Sequence, residues 1–296
     1  MWEEELTSKS DTVTLRNGIR IPCIGFGTWK LTPEEAKEGV LEAIKAGYTH
    51  IDTATAYQNE EGVGRALKES GLRRDEVFVT TKLPNADHGY FKAMDSLKGA
   101  LLRLGLDHVD LYLIHWPVID TFKDRFEEDI CETWRALLEM EKEGIVRVPG
   151  VSNFMVKHLK VIEENGLKLP FVDQIQFNPQ CIDTELRAFL EEKKILCEGW
   201  SPLAQGRVFG YEKLSALAEK YSCDVAQLCV RFALQSHVIP LPKSKTPYRI
   251  ASNANVFDFK ISDEDMKIIE SHSSYGRIGN EPDVPRVEQV VGFTVK

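Results

Sequence analysis

Val109-Asp110-Leu111-Tyr112-Leu113-Ile114-His115-Trp116 is an apolar run of strand length that ends on two side chains with chemistry of their own. A short continuous apolar stretch of this kind reads as a strand buried on both faces. Seven more runs of similar make-up lie at 23–29, 48–53, 77–83, 146–153, 172–177, 195–201 and 238–244. Segments with apolar residues at three- and four-residue spacing separate them, at 34–46, 60–70, 90–104, 131–143, 155–165, 184–193 and 211–221. Their ends carry helix signals. Thr32-Pro33-Glu34-Glu35 offers a cap, a first-turn proline and early acids, and Gly47 and Gly144 stand just past helix ends.

Strand and helix alternating along a whole chain imply parallel strands with crossover helices, in an open doubly wound sheet or a closed barrel. Eight strands favour the barrel, so the expected class is α/β, a (β/α)8 TIM barrel. Two helices at 224–235 and 262–271 are extra to a bare eightfold repeat. Before the first run, Arg16-Asn17-Gly18 between two short β patterns predicts an N-terminal β-hairpin, and after Gly276 the tail reads as irregular. No linker composition interrupts the middle, so residues 1–296 read as a single barrel domain.

Thirty-seven basic residues against 46 acidic give a formal net charge of −9, which argues against a general nucleic-acid binder. With 43% hydrophobic and 28% charged residues the composition is that of a globular protein. No stretch approaches the roughly 18 apolar residues of a membrane span, and the opening segment lacks the basic start and apolar run of a signal peptide. A cytoplasmic protein is expected. Cys23, Cys131, Cys181, Cys197, Cys223 and Cys229 are scattered without metal-ligand spacing, and reduced thiols are the default.

In a barrel of this kind reactive residues sit at the C-terminal strand ends. The second run ends in Ile51-Asp52-Thr53 with Tyr57 close behind, the third in Thr80-Thr81-Lys82, the fourth in His115-Trp116. A phenol is a poor acid at neutral pH, but a neighbouring ammonium stabilises its phenolate. Tyr57 beside Lys82 is then a proton donor, Asp52 holds Lys82 charged, and His115 orients a substrate oxygen. Taken singly, each has a plainer role: an ion pair, a packing tyrosine, a core histidine. Together on consecutive strand ends they are machinery for reducing a carbonyl.

At these residues the sequence resembles the aldo-keto reductase family, in its short-tailed 2,5-diketogluconate reductase or prostaglandin F synthase-like branch. The resemblance rests on Gly25-Phe26-Gly27-Thr28-Trp29, Gly47-Tyr48-Thr49-His50-Ile51-Asp52-Thr53-Ala54, Tyr57 with Asn59-Glu60, Thr80-Thr81-Lys82 and Asp110-Leu111-Tyr112-Leu113-Ile114-His115-Trp116-Pro117. It continues through Gly150-Val151-Ser152-Asn153-Phe154, Trp200-Ser201-Pro202-Leu203, and Pro242-Lys243-Ser244 followed by Arg249-Ile250. It covers the chain from Val13 to the tail. It implies NADPH as cofactor, a catalytic tetrad of Asp52, Tyr57, Lys82 and His115, a small carbonyl substrate and a monomer. Ser152, Asn153 and Gln174 would hold the nicotinamide carboxamide and Trp200 would stack on its ring, where the family more often has tyrosine or phenylalanine. Gly27, Thr28, Trp29, Ser201, Leu203 and Asn253 would also meet the cofactor. Trp29 and Trp116, with the loop 118–128 and the tail, would wall the substrate.

The cofactor site has an independent argument. No G-x-G-x-x-G follows a strand, since Gly25-Phe26-Gly27 lacks the third glycine and Gly62-Val63-Gly64 lies inside a helical segment. Lys243, Ser244, Lys245 and Arg249 directly after the last strand instead supply cations where barrels bind phosphate, and the family uses this group for the ribose 2′-phosphate. The sequence departs from the family at Pro84, Ser252 and Asn178, of which Ser252 bears on adenine binding and Pro84 on the substrate mouth. The alternative is a cofactor-binding regulatory subunit on the same barrel with little turnover. A metal-dependent lyase or hydrolase is a more distant rival, because the strand ends show no ligand cluster, and no metal site is expected.

Overall fold

The computed structural model describes residues 2, 6–274, 276–279 and 281–284, with backbone only for 120–122. Strands β1 (Thr12–Thr14) and β2 (Arg20–Pro22) form the expected hairpin, paired Thr12 to Pro22 through Thr14 to Arg20, with Gly18 at φ +83° in the turn. Its apolar residues Val13, Leu15 and Ile21 are buried. Arg16 gives hydrogen bonds to the carbonyls of Leu169, Pro170 (2.7 Å) and Lys194 (3.1 Å), just ahead of two barrel strands, which seats the hairpin at the N-terminal end.

Eight strands form one parallel sheet in chain order: β3 (Phe26–Gly27), β4 (His50–Asp52), β5 (Phe78–Leu83), β6 (Val109–Ile114), β7 (Val146–Ser152), β8 (Val172–Gln176), β9 (Leu196–Trp200) and β10 (Val238–Leu241). Each matches one of the eight runs. The first and last strands meet through Gly25 N–H to Pro240 O and Gly27 N–H to Pro242 O, both 3.1 Å, which closes the sheet into a barrel. Only half of a ladder forms at this seam. Pro240 and Pro242 accept, but have no N–H to return.

The strands are joined by α1 (Pro33–Lys45), α2 (Glu60–Ser70), α3 (Tyr90–Leu104), α4 (Phe126–Glu143), α5 (Val156–Glu164) and α6 (Thr184–Glu192). Next come α7 (Glu212–Lys220) and α8 (Val225–Gln235) together before β10, then α9 (Pro247–Ala254) and α10 (Asp263–Glu270). α1 starts with the expected capping box, Thr32 accepting from the Glu35 amide and Glu35 from the Thr32 amide. Gly47 and Gly144 have positive φ just beyond α1 and α4. Gly62 and Gly64 are explained by packing: a Cβ on Gly62 would lie 2.0 Å from the Pro33 carbonyl oxygen, and one on Gly64 2.3 Å from that of Leu104. Those absent side chains let α2 lie flush against its neighbours.

Two helical features differ from expectation. α4 begins at Phe126 rather than 131, after a 3-10 segment at Asp120–Arg125, so the expected loop 118–128 is largely helical. Its first turn carries Glu127, Glu128 and Asp129, which suit a helix N-terminus. No helix is expected between the last strand and 262; Pro247 at the first turn and buried Ile250, Asn253 and Ala254 on the inner face make 247–254 the helix α9. The two extra helices appear as α8 and α10. Part of the expected tail wall lies outside the described residues.

Candidate active site

Lys82, near the end of β5, has no exposed surface. Its ammonium bonds both oxygens of Asp52, at 2.7 and 2.8 Å, and the Thr53 carbonyl at 2.9 Å; the Tyr57 hydroxyl lies 3.4 Å away. Adjacent parallel strands bring Asp52 and Lys82 together, while Tyr57 arrives on the short turn Thr55–Tyr57 after β4.

Two buried side chains hold that turn. Asn59 accepts from Thr53 Oγ1 (2.7 Å) and donates to the carbonyls of Thr28 (2.9 Å) and Leu31 (3.0 Å). Glu60 accepts from Thr81 Oγ1 (2.6 Å), Arg103 Nε (2.6 Å) and Thr55 Oγ1 (3.2 Å). His115, just past β6, sets its ring edge to face against Tyr57 with centroids 5.8 Å apart. All four residues of the expected tetrad therefore share one end of the barrel.

Burial is the largest influence on the Tyr57 phenol and holds it above its ordinary value; Lys82 acts the other way without overcoming it, and Asp52 adds to the rise. The sequence argument gave Lys82 the upper hand. In the structure desolvation wins, and the phenol keeps its proton. For Lys82 burial alone would favour the neutral amine, but Asp52 and Tyr57 more than offset it, so the ammonium stays charged.

The residues expected at the carboxamide form a closed net. Ser152 Oγ donates to Gln174 O (2.7 Å), and Asn153 Nδ2 donates to His115 O (2.9 Å) and Ser152 Oγ (3.1 Å). Trp200 Nε1 donates to Asn153 Oδ1 (2.9 Å). Gln174 spends both amide hydrogens below, on Asp52 Oδ2 (2.8 Å) and Glu198 Oε2 (2.9 Å). Donors are committed and acceptor capacity is left over, which suits the NH2 of a carboxamide. Asn153 and Ser201, directly after β7 and at the end of β9, adopt left-handed backbone with φ +62° and +52°. Strain of that kind gathers at functional sites.

The other expected contacts are placed unevenly. Gly27 ends β3 beside the β10 seam. Thr28 is buried, and both its amide and hydroxyl donate to the Asp52 carbonyl, at 3.0 and 2.9 Å. Trp29 is half-buried under the Lys30 ammonium, 4.2 Å from its ring; Trp116 is buried, and its ring lies 6.5 Å from that of His115; Leu203 is half-buried. Beyond β10, Lys245 is paired with Glu35 at 2.7 Å, Lys243 is half-buried, Ser244 Oγ accepts from the Thr246 amide at 3.1 Å, and Arg249 is exposed on α9 with Asn253 buried behind it. Burial above all, then Lys245, lowers the Lys243 ammonium, so an arriving anion would relieve both strains. These cations, an exposed helix start at Thr246 and the acceptor net fit a phosphorylated nicotinamide cofactor at its two ends.

Sequence reading missed the floor beneath the site. Glu198 has no exposed surface; burial first and then Asp52 push its carboxyl up to about 8. His50 lies beside it, with Nε2 3.7 Å from Glu198 Oε1 and 3.0 Å from Thr80 Oγ1; burial, then Lys82, drives its imidazole down to about 3. The available signal was a set of polar residues at alternate positions of strands that are otherwise apolar.

An eight-stranded parallel barrel with a charged lysine beneath a phenol at its C-terminal mouth defines a class, the barrel oxidoreductases of carbonyl groups. A family model described as the aldo/keto reductase family matches residues 23–274. The chain is 45% identical to the glyoxal reductase of Bacillus subtilis over 278 residues, 94% of this chain and 98% of that one. It is 40% identical to the methylglyoxal reductase DkgA of Escherichia coli, over 92% and 96%. Among solved structures, an aldo/keto reductase from Brucella melitensis superposes with a TM-score of 0.83 at 43% identity, covering 89% of this chain and all of that one. An aldo-keto reductase from Bombyx mori, solved with NADP, gives 0.85 at 32% identity, covering 93% and 96%. The chain belongs to the aldo-keto reductase family, and so is an NADPH-dependent oxidoreductase. Among the described residues no helix is long and apolar enough to cross a membrane.

Proposed function

We propose that this protein reduces small aldehydes and ketones, among them α-dicarbonyls and keto sugars, to alcohols, with Tyr57 as proton donor. The observation that carries the reading is the Lys82 ammonium, bonded to Asp52 and 3.4 Å from the Tyr57 hydroxyl. NADPH, when bound, supplies the hydride that reaches the carbonyl carbon. Tyr57 delivers a proton to the carbonyl oxygen, Lys82 stabilises the phenolate left behind, and Asp52 keeps Lys82 charged and in place. His115, set edge to face against Tyr57, orients the same oxygen. Ser152, Asn153, Gln174 and Trp200 hold the nicotinamide end; Gly27, Ser201, Leu203, Lys243, Ser244, Arg249 and Asn253 hold the remainder. Trp29 and Trp116 wall the substrate.

The α-dicarbonyl preference is supported by the two relatives named as glyoxal and methylglyoxal reductases. We further read residues 1–296 as one domain acting as a monomer in the cytoplasm; six unpaired cysteines support a reducing compartment. The test is loss of NADPH absorbance with glyoxal, methylglyoxal and a panel of keto sugars, with NADH alongside. Turnover with the dicarbonyls is expected. Tight NADPH binding without turnover on any of them would favour the regulatory-subunit reading instead.

A further inference from the structure

We propose that Glu198 is a positioning residue for the cofactor: together with Asp52 it takes both amide hydrogens of Gln174 and so leaves Oε1, the acceptor, as the face that Gln174 offers to a nicotinamide carboxamide. This rests on the reading of Gln174 as a carboxamide contact.

A glutamine amide has two orientations of nearly equal shape, related by a half turn, and its surroundings choose between them. Here Nε2 stands 2.8 Å from Asp52 Oδ2 and 2.9 Å from Glu198 Oε2. The flipped amide would set its oxygen against an Asp52 carboxylate oxygen, joined by a second at Glu198 where that carboxyl is ionised, and would turn both amide hydrogens away from the two acceptors. Asp52 alone specifies the orientation weakly, because both its oxygens already serve Lys82. Glu198 supplies the second acceptor and no second demand, since its other oxygen takes no hydrogen bond. The ionisable groups around it are His50 and Asp52 on β4 and Lys82 on β5, with Gln174 on β8. A carboxyl kept in the middle of β9, where an aliphatic residue would be less costly, is explained by this duty.

The consequence is selectivity for a cofactor whose ring substituent can donate. NADPH carries a carboxamide NH2, whereas its reduced 3-acetylpyridine analogue carries a methyl ketone with no hydrogen to give. Affinities of both are measured by fluorescence titration for the native enzyme, Glu198→Leu, Glu198→Gln and Gln174→Leu. Glu198→Met replaces the leucine variant if that one fails to fold. In Glu198→Leu the preference for NADPH over the analogue is expected to fall by at least about five-fold. Glu198→Gln, whose amide oxygen can accept from Gln174, should retain it. Equal weakening of both cofactors in Glu198→Leu signals general loosening of the barrel and overturns the proposal. An unchanged preference there, with Gln174→Leu losing it, overturns the proposal alone. An unchanged preference in both variants removes Gln174 from the carboxamide contact and the proposal with it.

Discussion

The Trp200 indole N–H donates to Oδ1 of Asn153 at 2.9 Å, tying the end of β9 to the residue that follows β7. Asn153 also reaches the His115 carbonyl, so one indole hydrogen braces three strand ends at once. A tyrosine or phenylalanine would keep the flat face without this bond. Trp200→Phe is therefore expected to weaken NADPH binding by about three- to ten-fold, the worth of one hydrogen bond, with the fold intact. Fluorescence titration with NADPH measures it, and circular dichroism checks the fold.

Tyr57→Phe removes the proton donor and leaves the remaining cofactor contacts alone. Turnover should drop by about 10² to 10⁴, with NADPH affinity within about two-fold of native. Carbonyl reduction at an undiminished rate would assign the proton to another group.

Asn59 is fully buried and joins Thr53, Thr28 and Leu31 beneath the Tyr57 turn. In Asn59→Ala the Thr53 hydroxyl and the Leu31 and Thr28 carbonyls each lose a hydrogen bond, at a total cost of about 2–4 kcal/mol. Urea unfolding should show a lower midpoint. Steady-state kinetics should show kcat falling more than the KM for NADPH rises, because the displaced element carries the proton donor.

The carboxyl of Glu198, pushed up to about 8 by burial and Asp52, links stability to pH. A glutamate in the unfolded chain releases its proton near 4.5, so between about pH 4.5 and 8 the folded state holds more protons than the unfolded. The contribution of this group to stability falls as pH rises through that window. Glu198→Gln has no such proton, and its stability relative to the native protein should improve by about 4 kcal/mol between about pH 5 and 8.5. His50, driven down to about 3, gives the opposite slope below its ordinary 6.5. That slope is present in both proteins and cancels in the difference. Denaturant titrations across pH check the sign.

Lys243 is half-buried beside the exposed start of α9 and takes part in no ion pair among the described residues. If it meets the 2′-phosphate, Lys243→Ala lowers the NADPH to NADH affinity ratio by about ten-fold and leaves NADH itself nearly untouched. Equal losses for the two cofactors would remove the phosphate contact.

The barrel was legible because short, mostly apolar and β-branched runs recur eight times between segments of helical spacing, so the alternation stands out even where single polar residues break a run. The four tetrad residues were legible because strand ends face one mouth whatever the loops do. Glu198 was not: within Leu196-Cys197-Glu198-Gly199-Trp200 a lone acid has no local partner, and the groups that give it meaning, Gln174, Asp52 and His50, come from two other strands. α9 escaped for a different reason. Its eight residues present only about two turns, too few for an apolar spacing to stand out in the sequence.

The seam between β3 and β10 gives this barrel a hem along one side. Two hydrogen bonds, all running one way because Pro240 and Pro242 cannot answer, hold an edge next to Gly27 and Lys243. Opening there breaks fewer bonds than parting any fully laddered strand pair, so fluctuations of the wall concentrate beside Gly27 and Lys243, the proposed cofactor contacts. The Gly25 and Gly27 amides should be the first of the barrel amides to exchange with solvent, and to slow once NADPH fastens the edge. Selection for rigid catalysis at the mouth and for a wall that yields could in this way coexist in one closed sheet, separated by the width of a strand.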